Sequence, residues 1–444
     1  MRKSMWKVGG ATLFALALSA GMTGCGGNDT GTTTPPPAAG GNEPAATATA
    51  DDNTAAPAEP EDPEAAPVVP TDADLVIWAD TLKAASLQAP AAAWGQANGL
   101  NVAVQAVPGS LRDLAITADQ AGNGPDILIG ANDWLGTLVQ NGSIVPVVIP
   151  DTSDFPPSVL AAAQQAGQTF AVPYALETLV LFANTELVPD HTAPATFEEL
   201  IEAGKASGAQ NALCVPVGTQ GDAYHMEPIF TSAGGYVFGR NADGTWNPQD
   251  VGVDTPGGLQ AAERLAQLGQ DGVLSTAITG DNAIPLFADG NCAYLISGPW
   301  AIQSLQAANT PYVISTIPGF ADGQPASPFM GVNQFMVMSN GANQAIAQQF
   351  VSDVARDTTI AHGMFQSNQL PPAQISLLNQ ISTQYPDMAK IAEAAQNATA
   401  MPDIPEMNAI WGPLGQAQAS VIDGADPHST FQAAGNAIRA AIGN

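Results

Sequence analysis

From Asp74 onward the chain alternates short apolar runs with stretches of helical periodicity, and this rhythm constrains the fold more than any other feature. Leu75 to Trp78 reads as a buried strand, and Lys83 to Gln96 as a helix kinked at Pro90 and stopped at Gly99. Leu100, Val102, Val104 and Ala106 alternate as a half-buried strand, Leu111 to Ala121 reads as a second helix, and Asp126 to Ile129 as a third strand. Strands separated by helices predict a largely parallel sheet with right-handed crossovers, hence an α/β architecture. The loops after such strands gather along one edge, where open α/β sheets bind ligands. Here they carry Asp80 and Lys83 after the first strand, and Asn132, Asp133 and Trp134 after the third.

The pattern then repeats in a second region. Strand character resumes as LVLFAN after AVPYALE, Thr196 to Glu199 has capping-box spacing, and Thr255-Pro256 opens a helix running to about Gly269. Phe287 to Trp300, FADGNCAYLISGPW, reads as a helix end, a turn, a strand from Ala293 to Ile296, and a Gly-Pro step that sets Trp300 at the opening of the next helix. Tyr312 to Ile317 and Gln334 to Met338 read as strands, and the chain from Ala342 onward as mainly helical. A chain of 444 residues exceeds what one hydrophobic core supports. Two lobes are expected, with the chain passing from one to the other and returning.

The N-terminal region has a different character. Arg2, Lys3 and Lys7 precede the apolar stretch Val8 to Gly21, which is short for a membrane span and is closed by Met22-Thr23-Gly24-Cys25. This resembles a bacterial lipoprotein signal, residues 1–24, whose removal leaves Cys25 as a lipid-modified N-terminus; Met22 stands where such motifs usually have Leu. Residues 25–73 are rich in Gly, Thr, Pro, Ala and acids, with no aromatic residue, and cannot bury enough apolar surface to offset their ordering entropy. They read as an acidic, disordered tether between a membrane face and the folded part.

Charge excludes several partners. The formal net charge is -30, and three of the 11 Lys and Arg lie in the signal, so neither nucleic acid nor another polyanion is an expected ligand. The remaining cysteines, Cys214 and Cys292, sit in the apolar segments ALCVPV and CAYLI. In an oxidising compartment they form either a disulfide or two buried thiols. Their spacing fits no zinc or catalytic pattern, the four histidines are scattered, and no metal or cofactor is expected.

What the chain does offer is acids interleaved with aromatics: Asp133 with Trp134, Tyr174 with Glu177, Asp222 with Tyr224, and later Trp300 and Trp411. A sugar presents hydroxyls that bond to carboxylates and C-H faces that pack on rings, so this combination suits a neutral polyhydroxy ligand. The same acids would serve a glycosidase only if one were held protonated and both flanked a single bond.

GNGPDILIGANDWLGTLVQNGSIVPV, AVPYALETLVLFANTELV, FADGNCAYLISGPW, SPFMGVNQFMVMSN and MPDIPEMNAIW occur in this order from about Leu75 to Ala441. In sequence and spacing they resemble maltose/maltodextrin-binding proteins of ABC importers, bacterial extracellular solute-binding lipoproteins. The resemblance implies a two-lobe periplasmic-binding-protein-like fold, with residues 74–175 plus 332–380 in one lobe and 176–331 plus 387–444 in the other. A hinge would close the lobes over a malto-oligosaccharide for delivery to permease subunits. It implies a monomeric, non-enzymatic receptor, lipid-anchored on the extracytoplasmic face. Lys83, Asp133 and Glu177 look like polar contacts, Asp222 and Tyr224 like their counterparts on the other lobe, Trp300 and Trp411 like stacking rings, and Met401 like an apolar contact. Gly130 departs from an aromatic in this family, Trp134 from Arg, Glu227 and Gly412 from aromatics, and Leu82 from Asp. Trp134 is expected to supply, at another subsite, the aromatic area lost at Gly130, which leaves trehalose or a cyclodextrin as alternative ligands.

Overall fold

A computed structural model describes residues 69–70, 72–188, 193–242, 244–396 and 398–443. The expected signal segment, Cys25 and nearly all of the expected tether lie outside these residues. None of the described helices is long and apolar enough to cross a membrane.

A six-stranded and a four-stranded sheet carry the fold. Their strands, in chain order, are β1 (Leu75–Ala79), β2 (Val102–Ala106), β3 (Ile127–Ala131), β4 (Ala171–Thr178), β5 (Val180–Asn184), β6 (Asn211–Cys214), β7 (Cys292–Ser297), β8 (Tyr312–Ser315), β9 (Phe329–Val337) and β10 (Thr399–Ala400). The larger sheet has the order β10-β9-β3-β1-β2 with β4 on the other flank of β9, and the smaller the order β8-β5-β7-β6. β1 runs parallel to β2 and β3, as the alternation with helices predicts. The expectation of largely parallel sheets fails further along. β9 is antiparallel to β3 and β4, and β5 is antiparallel to β7 and β8. The reason is connectivity: β4 and β9 run between the two regions in opposite senses, and only Leu179 separates β4 in one sheet from β5 in the other.

Helix Thr81–Asn98 runs through Pro90 and ends at Gly99, whose φ of 70° needs a residue without a Cβ. Its Ala84, Leu87 and Ala91 pack on Leu75 and Ile77, while Val76 and Trp78 pack on the other face with Leu111, Leu128 and Leu135. β1 is thus buried on both faces, as a central parallel strand must be. The smaller sheet shares a core with helices Pro256–Gln270, Asn408–Ile422 and Pro427–Ala441 through Leu265, Leu414 and Phe431. Cys214 and Cys292 form a disulfide between the neighbouring strands β6 and β7, with Cα atoms 5.8 Å apart.

Candidate ligand-binding site

The site is built on one face of β9. Successive side chains of a strand alternate between faces, so Phe329, Gly331, Asn333 and Phe335 share a face opposite Val332 and Gln334. Gln334 confirms the sense, because its Nε2 donates to the Ala162 carbonyl behind the sheet at 3.4 Å. Glu177 of β4 lies opposite Gly331, and Ala175 opposite Asn333. Between Asn333 and Gln334 the register slips by one residue, which leaves Tyr174 as the extra residue of a bulge with its ring 5.1 Å from Phe335.

Around this floor stand groups carried by the loops after β1 and β3. Asp80 caps helix Thr81–Asn98 by accepting from the Lys83 amide at 2.9 Å, and its other oxygen lies 2.6 Å from Lys83 Nζ. Burial works to lower the Lys83 pKa, but Glu177 and Asp80 hold it above the usual lysine value. Burial raises the Asp133 carboxyl to about 6; Arg112 opposes this and Glu177 adds to it. Asp133 Oδ1 is buried without a partner. The phenols of Tyr174 and Tyr224 are likewise buried and unpartnered, and burial, then the charge of Glu177, pushes both well above the usual tyrosine range. One carboxylate, Glu177, therefore acts on Lys83, Asp133, Tyr174 and Tyr224 together.

Tyr224 comes from the smaller-sheet side, in the first turn of helix Ala223–Ser232. Asp222 caps that helix through the His225 amide at 3.0 Å and places its second oxygen 2.7 Å from His225 Nδ1. Burial tends to raise the Asp222 pKa, but the bonds to His225 hold it below the ordinary carboxylate value. From Tyr224 a run of rings extends both ways. Trp300 lies at 6.3 Å, and Phe329 is stacked at 6.3 Å with Trp411 edge-on to it at 5.9 Å. The His225 ring stands edge-on to Trp300 at 5.9 Å.

The predicted residues fall into two groups. Lys83, Asp133 and Tyr224 share the charge of Glu177 as a common influence, while Trp300 and Trp411 are linked through Tyr224 and Phe329. Asp222 is a helix cap whose oxygens serve its own helix, and the Met401 side chain is buried with Phe329 in the smaller-sheet core. Trp134 lies on Gly130 itself, since a Cβ there would collide with its indole, and it packs against the core of the larger sheet. The indole thus occupies the space that a side chain at position 130 would need.

The sequence did not single out Arg112 or Asn333, and it offered Asn132 and Glu227 without a contact role. Asn132 fills the step along β9 where β3 ends and β10 begins, accepting from the Val332 amide at 2.9 Å and donating to the Met401 carbonyl at 3.2 Å. Arg112 donates to Asn408 Oδ1 at 2.7 Å, joining the helix after β2 to the helix of Trp411. Glu227, one turn beyond Tyr224, is buried with Oε2 unpartnered, and burial alone raises it to about 8. Asn333 is 1% exposed and neither of its amide atoms has a partner. The available signal was the pair Asn333-Gln334 inside an otherwise apolar strand.

A profile described as "Bacterial extracellular solute-binding protein" matches residues 89–390. The chain is 29% identical over 381 residues to a galactooligosaccharide-binding protein of Bacillus subtilis, covering 83% of this chain and 89% of that one. It is 25% identical to a maltodextrin-binding protein of the same organism, covering 71% and 76%. It is also 25% identical to a maltooligosaccharide ABC transporter solute-binding lipoprotein of Streptococcus pneumoniae, covering 77% and 82%.

Proposed function

The chain belongs to the bacterial extracellular solute-binding protein family, and on that premise we propose that it is a receptor that captures a neutral oligosaccharide in the site on β9 and hands it to the permease subunits of an ABC importer. The observation that supports this most is the convergence on Glu177 of Lys83, Asp133 and Tyr174 from the larger-sheet side and Tyr224 from the other, beside a run of four rings. Carboxylates and phenols bond to hydroxyls, and rings pack on C-H faces. Residues 74–175 plus 332–380 and 176–331 plus 387–444 act as the two lobes, and β4 and β9 as crossings about which they close. The receptor works as a monomer without chemistry or cofactor. Acylated Cys25 and the acidic tether hold it on the extracytoplasmic face of the membrane.

The first candidate ligand is a malto-oligosaccharide. A galacto-oligosaccharide is the second, favoured by the broader match to a relative named for binding one; trehalose and cyclodextrins complete the set. A thermal-shift screen of maltotriose, longer dextrins, galactotriose, trehalose and cyclodextrins tests the reading, because a ligand bound only by the native state raises the melting temperature. No shift with any sugar at millimolar concentration would refute it.

A further inference from the structure

We propose that Asn333 is a sugar-recognition residue at the floor of the site, its side-chain amide accepting from one hydroxyl and donating to a neighbouring one on the sugar unit beside Tyr174 and Glu177. This rests on the reading of the site as an oligosaccharide cleft. Asn333 lies on the face of β9 that carries Phe329 and Gly331, between the ring run and Tyr174. Both amide atoms are buried and unpartnered, a condition that costs free energy until a partner arrives.

The strands on either side place no polar side chain opposite it. Asn333 is opposite Ala131 of β3 and Ala175 of β4, and its neighbours on its own face of β9 are Gly331 and Phe335. A polar amide ringed by two methyl side chains and a glycine, with the free Tyr174 hydroxyl on the same flank, leaves its bonding capacity to a ligand. An amide is suited to the task because it offers an acceptor and two donors side by side, matching adjacent hydroxyls that each give and accept. A site that hydrogen-bonds a hydroxyl also discriminates strongly against a sugar that lacks it or points it elsewhere.

The test is calorimetric titration of wild type, Asn333→Leu and Trp300→Ala with maltotriose and with galactotriose, beside melting curves without sugar. Leucine keeps the branching at Cγ, though with more bulk, and removes the unmet polar groups, so the sugar-free variant should melt close to the wild-type temperature or above. Its affinity for the preferred sugar should fall about 10- to 100-fold, as expected for two lost hydrogen bonds. Wild-type affinity in Asn333→Leu, with Trp300→Ala impaired, would overturn the assignment of Asn333 while leaving the oligosaccharide reading intact. Binding by the wild type of no sugar of the thermal-shift set would overturn that reading and this inference with it. If Asn333→Leu does not fold, Asn333→Ser, which is smaller and keeps one hydroxyl, is judged by the same affinity criterion.

Discussion

Replacing Glu227 with glutamine should stabilise the protein by an amount that grows with pH. Burial raises this carboxyl from 4.5 to about 8, so across that window the folded state keeps a proton that the unfolded chain releases. Stability from a group of this kind is complete below the unfolded value and declines as pH rises toward the folded one, by about 1.4 kcal/mol per pH unit. At pH 7.5, three units above the unfolded value of 4.5, the wild type forgoes on the order of 4 kcal/mol. Glutamine has nearly the same shape and cannot ionise, and it leaves the unpartnered Oε2 position no worse served than the acid does. Urea unfolding of both proteins, followed by tryptophan fluorescence, measures the difference; every other carboxylate is common to the two and cancels. The difference should be less than about 1 kcal/mol at pH 5 and about 4 kcal/mol at pH 7.5. A difference that stays flat over that range would show Glu227 ionised in the folded protein and refute the reasoning.

Trp300→Ala should weaken sugar binding by about 2 to 4 kcal/mol, the usual loss for truncating a large contact aromatic, as read by calorimetry; unchanged affinity would remove Trp300 from the site. Asp133 is held at about 6, and a hydroxyl donating to its free Oδ1 favours the ionised form. Affinity should therefore be full above pH 6 and about tenfold weaker at pH 5, a dependence that Asp133→Asn should abolish. Replacing both Cys214 and Cys292 with serine opens a link across 78 residues and should lower the unfolding free energy by about 4 kcal/mol, measurable by denaturant titration.

The parts of the fold that were legible in the sequence are those fixed by local signals. β1, β2, β3 and their helices follow from alternation, and the first helix ends where Gly99 adopts a positive φ. The antiparallel sense of β9 was not legible, because strand direction depends on where long connections return and not on the strand's own pattern. In the site, Lys83, Asp133 and Glu177 could be named from motif blocks. Tyr174 was visible only as an aromatic near Glu177 and Asn333 not at all, since their places depend on the bulge and on the alanines that face Asn333 from distant segments. Glu227, like Gly412, looked like a departure from an aromatic. Only its burial, with nothing charged against it, marks it as an acid held neutral.

Two indoles in this protein, Trp134 and Trp300, each rest on a bare backbone, at Gly130 and Gly298, where any Cβ would strike the ring. Their tilt is therefore governed from beneath. A single methyl introduced at either glycine would have to displace the indole above it, without any substitution of the residues around Glu177. Such positions give evolution, or a protein engineer, a means of retuning ligand preference that substitution of the contacting residues alone would never uncover.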